Sequence, residues 1–167
     1  MNKIQKIAVI GISGSGKTTF SETLSKKLGL PLYHMDSLFW LPNWTEVQSD
    51  VWQLKEQEII DQKQWIIEGY VDEISVERLS EADLVLYIDL PGYICAFNGL
   101  KRWWQYRGKS RPELDNCNET LKPSYLWTIL IKKERIGLET ALKQVSIKNL
   151  IKLDTINKKK SYLRNLI

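Results

Sequence analysis

Eight residues near the start of the chain, Gly11-Ile12-Ser13-Gly14-Ser15-Gly16-Lys17-Thr18, match the phosphate-loop spacing G-x-x-x-x-G-K-[ST] without a mismatch. A phosphate chain needs several backbone N–H groups converging on it, and Cβ atoms would obstruct that approach. Gly11, Gly14 and Gly16 remove the obstruction, and Ser13, Ser15 and Thr19 complete the expected nucleotide-binding segment. Lys17 is expected to reach the β- and γ-phosphates of ATP, and Thr18 to hold Mg²⁺ through its hydroxyl. The helix expected from Lys17 would add its positive end. The competing reading, a glycine-rich turn that binds nothing, is weak because strand, loop, helix, Lys and Thr all stand in the required order.

A second carboxylate must help manage the metal. Two strand ends offer one: Trp65-Ile66-Ile67-Glu68-Gly69 ends in Glu68, and Val85-Leu86-Tyr87-Ile88-Asp89 ends in Asp89. Either could lie beside the loop. Other chemistries fit less well. A guanine-specifying N-K-x-D segment is missing, since Asn157-Lys158-Lys159-Lys160 lacks the Asp. One histidine and two isolated cysteines, Cys95 and Cys117, do not offer the ligand spacing of a zinc site.

The elements that must position these groups follow from the apolar pattern. Lys6 to Ile10 is a continuous apolar run of the kind buried on both faces of a parallel sheet. A helix from about Lys17 carries Phe20, Leu24 and Leu28 on one face and stops at Gly29. Pro31 to His34 reads as a second strand, and residues 35–46 as a loop. A helix over about 47–63, a strand over Trp65–Ile67, a helix over 72–82 and a strand over Leu84–Ile88 follow. Pro91 suits the first turn of a helix running to about Tyr106. Residues 107–122 read as an excursion or lid, residues 124–145 as one long helix, Leu150–Leu153 as a last strand and 157–166 as a closing helix. Trp103 and Trp104, being adjacent, cannot both face the core. Alternating apolar strands and helices predict an α/β fold, a parallel sheet covered on both sides, with ligands at the carboxyl ends of the strands.

The chain has 167 residues, 43% hydrophobic and 26% charged, which suits a single soluble globular domain spanning 1–167. No apolar run approaches the roughly 20 residues of a membrane helix. Lys3 and Lys6 precede only a short apolar run, so no secretory leader is expected and the setting is taken as cytoplasmic, with both cysteines as thiols. The charge is uneven. Residues 1–100 carry 8 Lys/Arg against 14 Asp/Glu; residues 101–135 carry 9 against 4; residues 136–167 carry 7 against 2. A basic second half expects an anionic partner: phosphates, nucleic acid, or the protein's own acidic half.

Several segments occur in order: the phosphate loop, His34-Met35-Asp36-Ser37-Leu38-Phe39-Trp40, Pro42-Asn43-Trp44, Trp65-Ile66-Ile67-Glu68-Gly69-Tyr70, Asp89-Leu90-Pro91 and Arg107-Gly108-Lys109-Ser110-Arg111-Pro112. Over nearly its whole length the chain resembles the bacterial DNA topology modulation, or FlaR-like, proteins of the adenylate-kinase-like branch of P-loop kinases. The resemblance implies a three-layer fold with five parallel strands in the order 2-3-1-4-5 and a lid inserted before the long helix. It implies that Glu68 supports Mg²⁺ with Thr18, in a place where nucleotide kinases usually carry Asp-Gly, and ranks it above Asp89. It makes Asp36 an acceptor ligand or base, Arg78 an acceptor-phosphate ligand, and Arg107 and Arg111, with Arg102 and Arg135 beside them, the cations that neutralise the transferred group. Trp40 and Trp44 could stack an aromatic acceptor such as a nucleobase, the alternative being the commoner place of tryptophan in the core or as a lid on it. The leading expectation is an ATP- and Mg²⁺-dependent kinase of a small nucleoside- or nucleotide-like acceptor, monomeric or homodimeric. The alternative is a nucleotide-dependent nucleic-acid-binding protein affecting DNA topology, though no groove-reading motif is visible.

Overall fold

The computed structural model describes residues 4–71, 76–112, 114–120 and 122–166. Five parallel strands form the central sheet: β1 (Lys6–Gly11), β2 (Leu32–His34), β5 (Trp65–Gly69), β6 (Leu84–Ile88) and β7 (Leu150–Leu153), in the spatial order β2-β5-β1-β6-β7. Counted along the sheet's own strands this is the expected 2-3-1-4-5. A separate antiparallel hairpin pairs β3 (Trp40–Leu41) with β4 (Thr45–Glu46).

The continuous apolar runs have a simple cause. Successive side chains of a strand point to opposite faces, and here both faces are covered. Ala8, Ile10, Trp65, Ile67, Val85 and Tyr87 join one cluster with residues of α3 (Ser49–Ile60), α4 (Glu77–Glu81) and α7 (Glu134–Gln144). Ile7, Val9, Ile66, Leu84, Leu86 and Ile88 join the other with α1 (Lys17–Leu28), α5 (Gly92–Tyr106) and α6 (Pro123–Leu130), and Tyr162 and Leu163 of α8 (Ile156–Arg164) pack against it. Trp65 is fully buried, and its indole N–H donates to the Ile60 carbonyl at 3.2 Å. Truncating it to Ala would cost about 3–5 kcal/mol.

Three expectations need correction. Residues 35–46 are not a plain loop: they fold as α2 (Met35–Phe39), β3, a 3-10 turn over Pro42–Trp44 and β4, with Asn43 and Trp44 at φ 63° and 58°. The long helix over 124–145 is two helices, α6 and α7, broken at Ile131–Lys133. Lys132 sits there at φ 56°, and its ammonium bonds the Asp89 carboxylate. At the break the Ile131 amide still donates to the Trp127 carbonyl, while the Lys132 and Lys133 amides turn to the Ile129 and Thr128 carbonyls, each at 3.0 Å. Helix α4 covers Glu77–Glu81 of the helix expected over 72–82; positions 72–75 lie outside the described residues.

Among its described residues the segment 107–122 carries no long element, and it folds back on the hairpin. The Asn43 amide donates to the Asn116 carbonyl at 3.0 Å, the Trp44 indole to the Asn118 carbonyl at 2.9 Å, and Cys117 Sγ to the Leu41 carbonyl at 3.2 Å. Of the two adjacent tryptophans, Trp104 is the exposed one, while Trp103 lies under the Arg107 guanidinium.

Candidate active site

Strand β1 is central, so the loop that follows it emerges between the carboxyl ends of β5 and β6. Ile10 is in register with Gly69, and Gly11 with Ile88. The loop turns through Gly14 and Gly16 at φ 75° and 78°, a region that disfavours any side chain. A Cβ at Gly14 would also lie 2.1 Å from the Cys95 carbonyl oxygen, so α5 and the loop pack backbone to backbone. Asn98 of α5 ties them further, donating to the Gly14 carbonyl at 2.8 Å.

Lys17 Nζ donates to the Ile12 carbonyl at 3.2 Å, which curls the ammonium back over the loop. Thr18 Oγ1 donates to Glu68 Oε1 at 3.2 Å. His34 Nδ1 lies 2.7 Å from the same oxygen; a carboxylate only accepts, so Nδ1 carries the hydrogen. Burial pushes the Glu68 carboxyl up, but the His34 and Thr18 hydrogen bonds and the Lys17 and His34 charges outweigh it, and its pKa falls below 4.5. Glu68 is thus an ionised oxygen donor beside a hydroxyl. That pair fits Mg²⁺, which typically takes one or two protein oxygens and completes its shell with water and phosphate.

The second strand-end carboxylate is differently placed. Asp89, 6% exposed, accepts from Lys132, from Lys152 at 2.7 Å, and faces Arg135 at 3.5 Å. Burial raises its pKa, but the hydrogen bonds and charges of Lys132 and Lys152 outweigh that and bring it below 3.8, so it is ionised and already surrounded by positive charge.

A cavity of about 960 Å³ opens from the loop. Ser13 and Lys17 line it on the loop side. Asp36, Phe39, Trp40 and Trp44 come from α2 and the hairpin, Tyr70 from just beyond β5, Arg102 from α5, Arg111 and Glu119 from the segment 107–122, Tyr125 from α6 and Glu134 from α7. Arg111 and Arg102 both meet the buried Glu119, at 2.7 and 3.3 Å, and the Arg111 guanidinium lies 5.8 Å from the Trp44 ring centre. Burial raises the pKa of the Tyr125 phenol, with Ser13 and Arg102 acting against it.

Of the residues singled out from sequence, the fold thus brings Ser13, Lys17, Asp36, Trp40 and Arg111 onto one cavity, with Thr18 and Glu68 bonded to each other. Gly11 ends β1, and Thr19 stands exposed in the first turn of α1. Ser15 is fully buried and its hydroxyl finds no hydrogen-bond partner among the described residues. Three residues are elsewhere. Arg78 is 1% exposed, 3.1 Å from Glu56 and bonded to the Tyr70 carbonyl; it braces the backbone behind the cavity and does not line it. Arg107 ends α5 in an exposed position over Trp103. Arg135 pairs with Asp89 and Glu139.

Sequence reading passed over Glu119, Tyr125, Glu134 and Lys159. The Ser13 amide donates to Glu134 Oε2 at 2.7 Å, and Lys159 Nζ of α8 donates to the Ser15 and Gly16 carbonyls at 3.2 and 3.4 Å. All lie far from the loop in sequence, in no motif, so only an expectation of where α6, α7 and α8 dock would have found them.

No family model matches the chain, and no curated protein matches it by sequence. Solved structures do. A shikimate kinase from Acinetobacter baumannii, in complex with shikimate, superposes with a TM-score of 0.63 at 18% identity, covering 98% of this chain and 92% of that one. A sugar kinase from Janibacter sp. HTCC2649 gives 0.58 at 16% identity, covering 97% and 94%. A gluconokinase from Sinorhizobium meliloti 1021 gives 0.54 at 15%, covering 97% and 93%. With its five-stranded parallel sheet, helices on both faces and a glycine-rich loop after the central strand, the chain has the fold of the P-loop kinases.

Proposed function

We propose that this protein is a P-loop phosphotransferase that moves the γ-phosphoryl group of ATP, with Mg²⁺, to a small acceptor of nucleoside or nucleotide type. The observation that carries this reading is a single cavity bearing Lys17 at the phosphate loop and Asp36 in the first turn of α2, with aromatic rings in its wall. A phosphoryl donor and an acceptor hydroxyl need to meet in one water-poor space, and positioning with charge neutralisation supplies most of the catalysis. The backbone from Gly11 to Thr19 would hold the phosphates. Thr18 and Glu68 would hold Mg²⁺, which when bound draws charge from the phosphate oxygens. Lys17 would neutralise the group in transit, Asp36 would orient the acceptor hydroxyl and accept its hydrogen bond, and Arg111 would offer its guanidinium to the transferred group. Arg107 keeps a place only if the segment 107–122 closes further.

The aromatic lining from Phe39, Trp40, Trp44, Tyr70 and Tyr125 suits a flat ring better than a polyol, because ring faces offer stacking and few hydrogen bonds. Resemblance to the FlaR-like proteins and a cytoplasmic setting belong to the same reading; no helix among the described residues is long and apolar enough to cross a membrane. The nucleic-acid alternative loses its motive in part. Lys132, Arg135 and Lys152 face Asp89, and Arg102 and Arg111 face Glu119, so these five cations of the basic second half answer the protein's own carboxylates.

The test is an acceptor screen with purified protein, ATP and Mg²⁺ against nucleosides, nucleotides, shikimate and sugar acids. Phosphoryl transfer to a ring-bearing acceptor is expected. Transfer only to polyols would refute the acceptor class, and no ATP binding by calorimetry would refute the kinase.

A further inference from the structure

The Ser13 amide of the phosphate loop has its hydrogen-bond partner outside the loop. Ser13 and Lys17 are the loop residues on the cavity wall, so this amide stands at the end of the loop that faces the acceptor space. There the terminal phosphoryl group would be handed over. Glu134 already occupies it: its Oε2 accepts the Ser13 N–H at 2.7 Å, as a phosphate oxygen would, and with the same sign of charge.

The carboxylate is not a free rotor that drifts in. Glu134 is the first residue of α7, and the break before it is pinned by Lys132 at φ 56°. Lys132 and Arg135, on either side, both hold Asp89, Arg135 at 3.5 Å. A tethered anion of this kind acts at high effective concentration, and it repels a second anion at the same donor.

We infer that Glu134 is a built-in competitor for the terminal phosphate of ATP at the Ser13 amide, so that a nucleoside triphosphate is admitted only when the first turn of α7 gives way. This rests on the phosphate-loop reading of Gly11–Thr18. ADP, which lacks the terminal group, meets less of the conflict. Glu134 therefore sets the balance between triphosphate and diphosphate affinity, and couples nucleotide arrival to the α6–α7 break.

Calorimetric titration with Mg²⁺ and either ADP or a non-hydrolysable ATP analogue tests it, using the full chain and Glu134→Ala, with Lys17→Ala in parallel. Removing the carboxylate is expected to tighten the analogue about tenfold and ADP clearly less. Analogue affinity that does not rise, or a gain no larger than that for ADP, overturns the inference while leaving the kinase reading intact. If neither nucleotide binds the full chain or Glu134→Ala, both readings fall; so they do if binding is indifferent to Lys17→Ala. Should Glu134→Ala not fold, Glu134→Gln, which keeps the shape but not the charge, decides by the same criteria.

Discussion

Glu68 and Asp89 end the two strands that flank β1, and both are buried and ionised, yet they have different work. Glu68 meets one hydroxyl and one imidazole, with the Lys17 charge acting on it as well, and is the carboxylate proposed to help hold Mg²⁺. Asp89 is ringed by Lys132, Arg135 and Lys152 and has no charge to spare. Burial and position at a strand end are therefore not enough to identify a metal carboxylate. What counts is the charge already committed around it. Asp89 acts instead as the anchor that holds the α6–α7 break over the phosphate loop.

Lys17→Ala should break the catalytic side of the comparison hardest. Turnover is expected to fall on the order of 10³-fold with the unfolding midpoint unmoved, because the ammonium contacts a loop carbonyl and supports no core packing. Asp89→Ala should do the opposite. Leaving its cations without their anion is expected to cost about 3 kcal/mol in urea unfolding, the low end for a buried pair because Arg135 and Lys152 are partly exposed. If Asp89→Ala instead raised the Mg²⁺ requirement without loss of stability, the two assignments would have to be exchanged. Glu68→Gln is expected to lower turnover about 10²-fold at limiting Mg²⁺ and to recover partly at high Mg²⁺, with little change in stability.

Acid should sharpen the contrast further. Both carboxyls have native pKa values below their ordinary 4.5 and 3.8. A depressed native pKa contributes stability that is present above the ordinary value and lost as pH falls through the native one. Denaturant melts from pH 6 to pH 3 should therefore show stability declining below about pH 4. In Asp89→Asn that decline should be shallower than in the unmodified protein, and a decline of unchanged slope would take the anchor role away. The smallest effect expected is Trp40→Ala: an acceptor KM raised about tenfold with kcat less changed, as suits a group that stacks on the ring and takes no part in transfer.

Much of this was legible in the residues because the signals are local. The glycine spacing and Lys17-Thr18 specify a loop that only one backbone path satisfies, and the apolar strands announce a sheet buried on both faces. Parallel register puts the ends of both flanking strands beside that of β1, so the residues left Glu68 and Asp89 open and only the family resemblance ranked Glu68 first. The helix break at Lys132 was not legible, because the sequence there is helix-compatible and the partner of Lys132 is Asp89, just past the end of β6. Arg78 misled for a related reason: an arginine on a short helix looks like a surface cation until its partner Glu56, on another helix, removes it from solvent.

By itself the sequence determined the covalent grammar of the site: where backbone can wrap a phosphate, which side chains carry the needed charge, and how many layers must cover the strands. Those depend on neighbours within a few residues and on the alternation of side chains along a strand. The tertiary structure alone decided which charges are free and which are taken. Glu134 reaches Ser13 across 121 positions, Lys132 reaches Asp89 across 43, and Lys159 reaches the loop from the last helix. Coulomb attraction acts through space, so the partner of a charge is set by how elements dock, which no local pattern records.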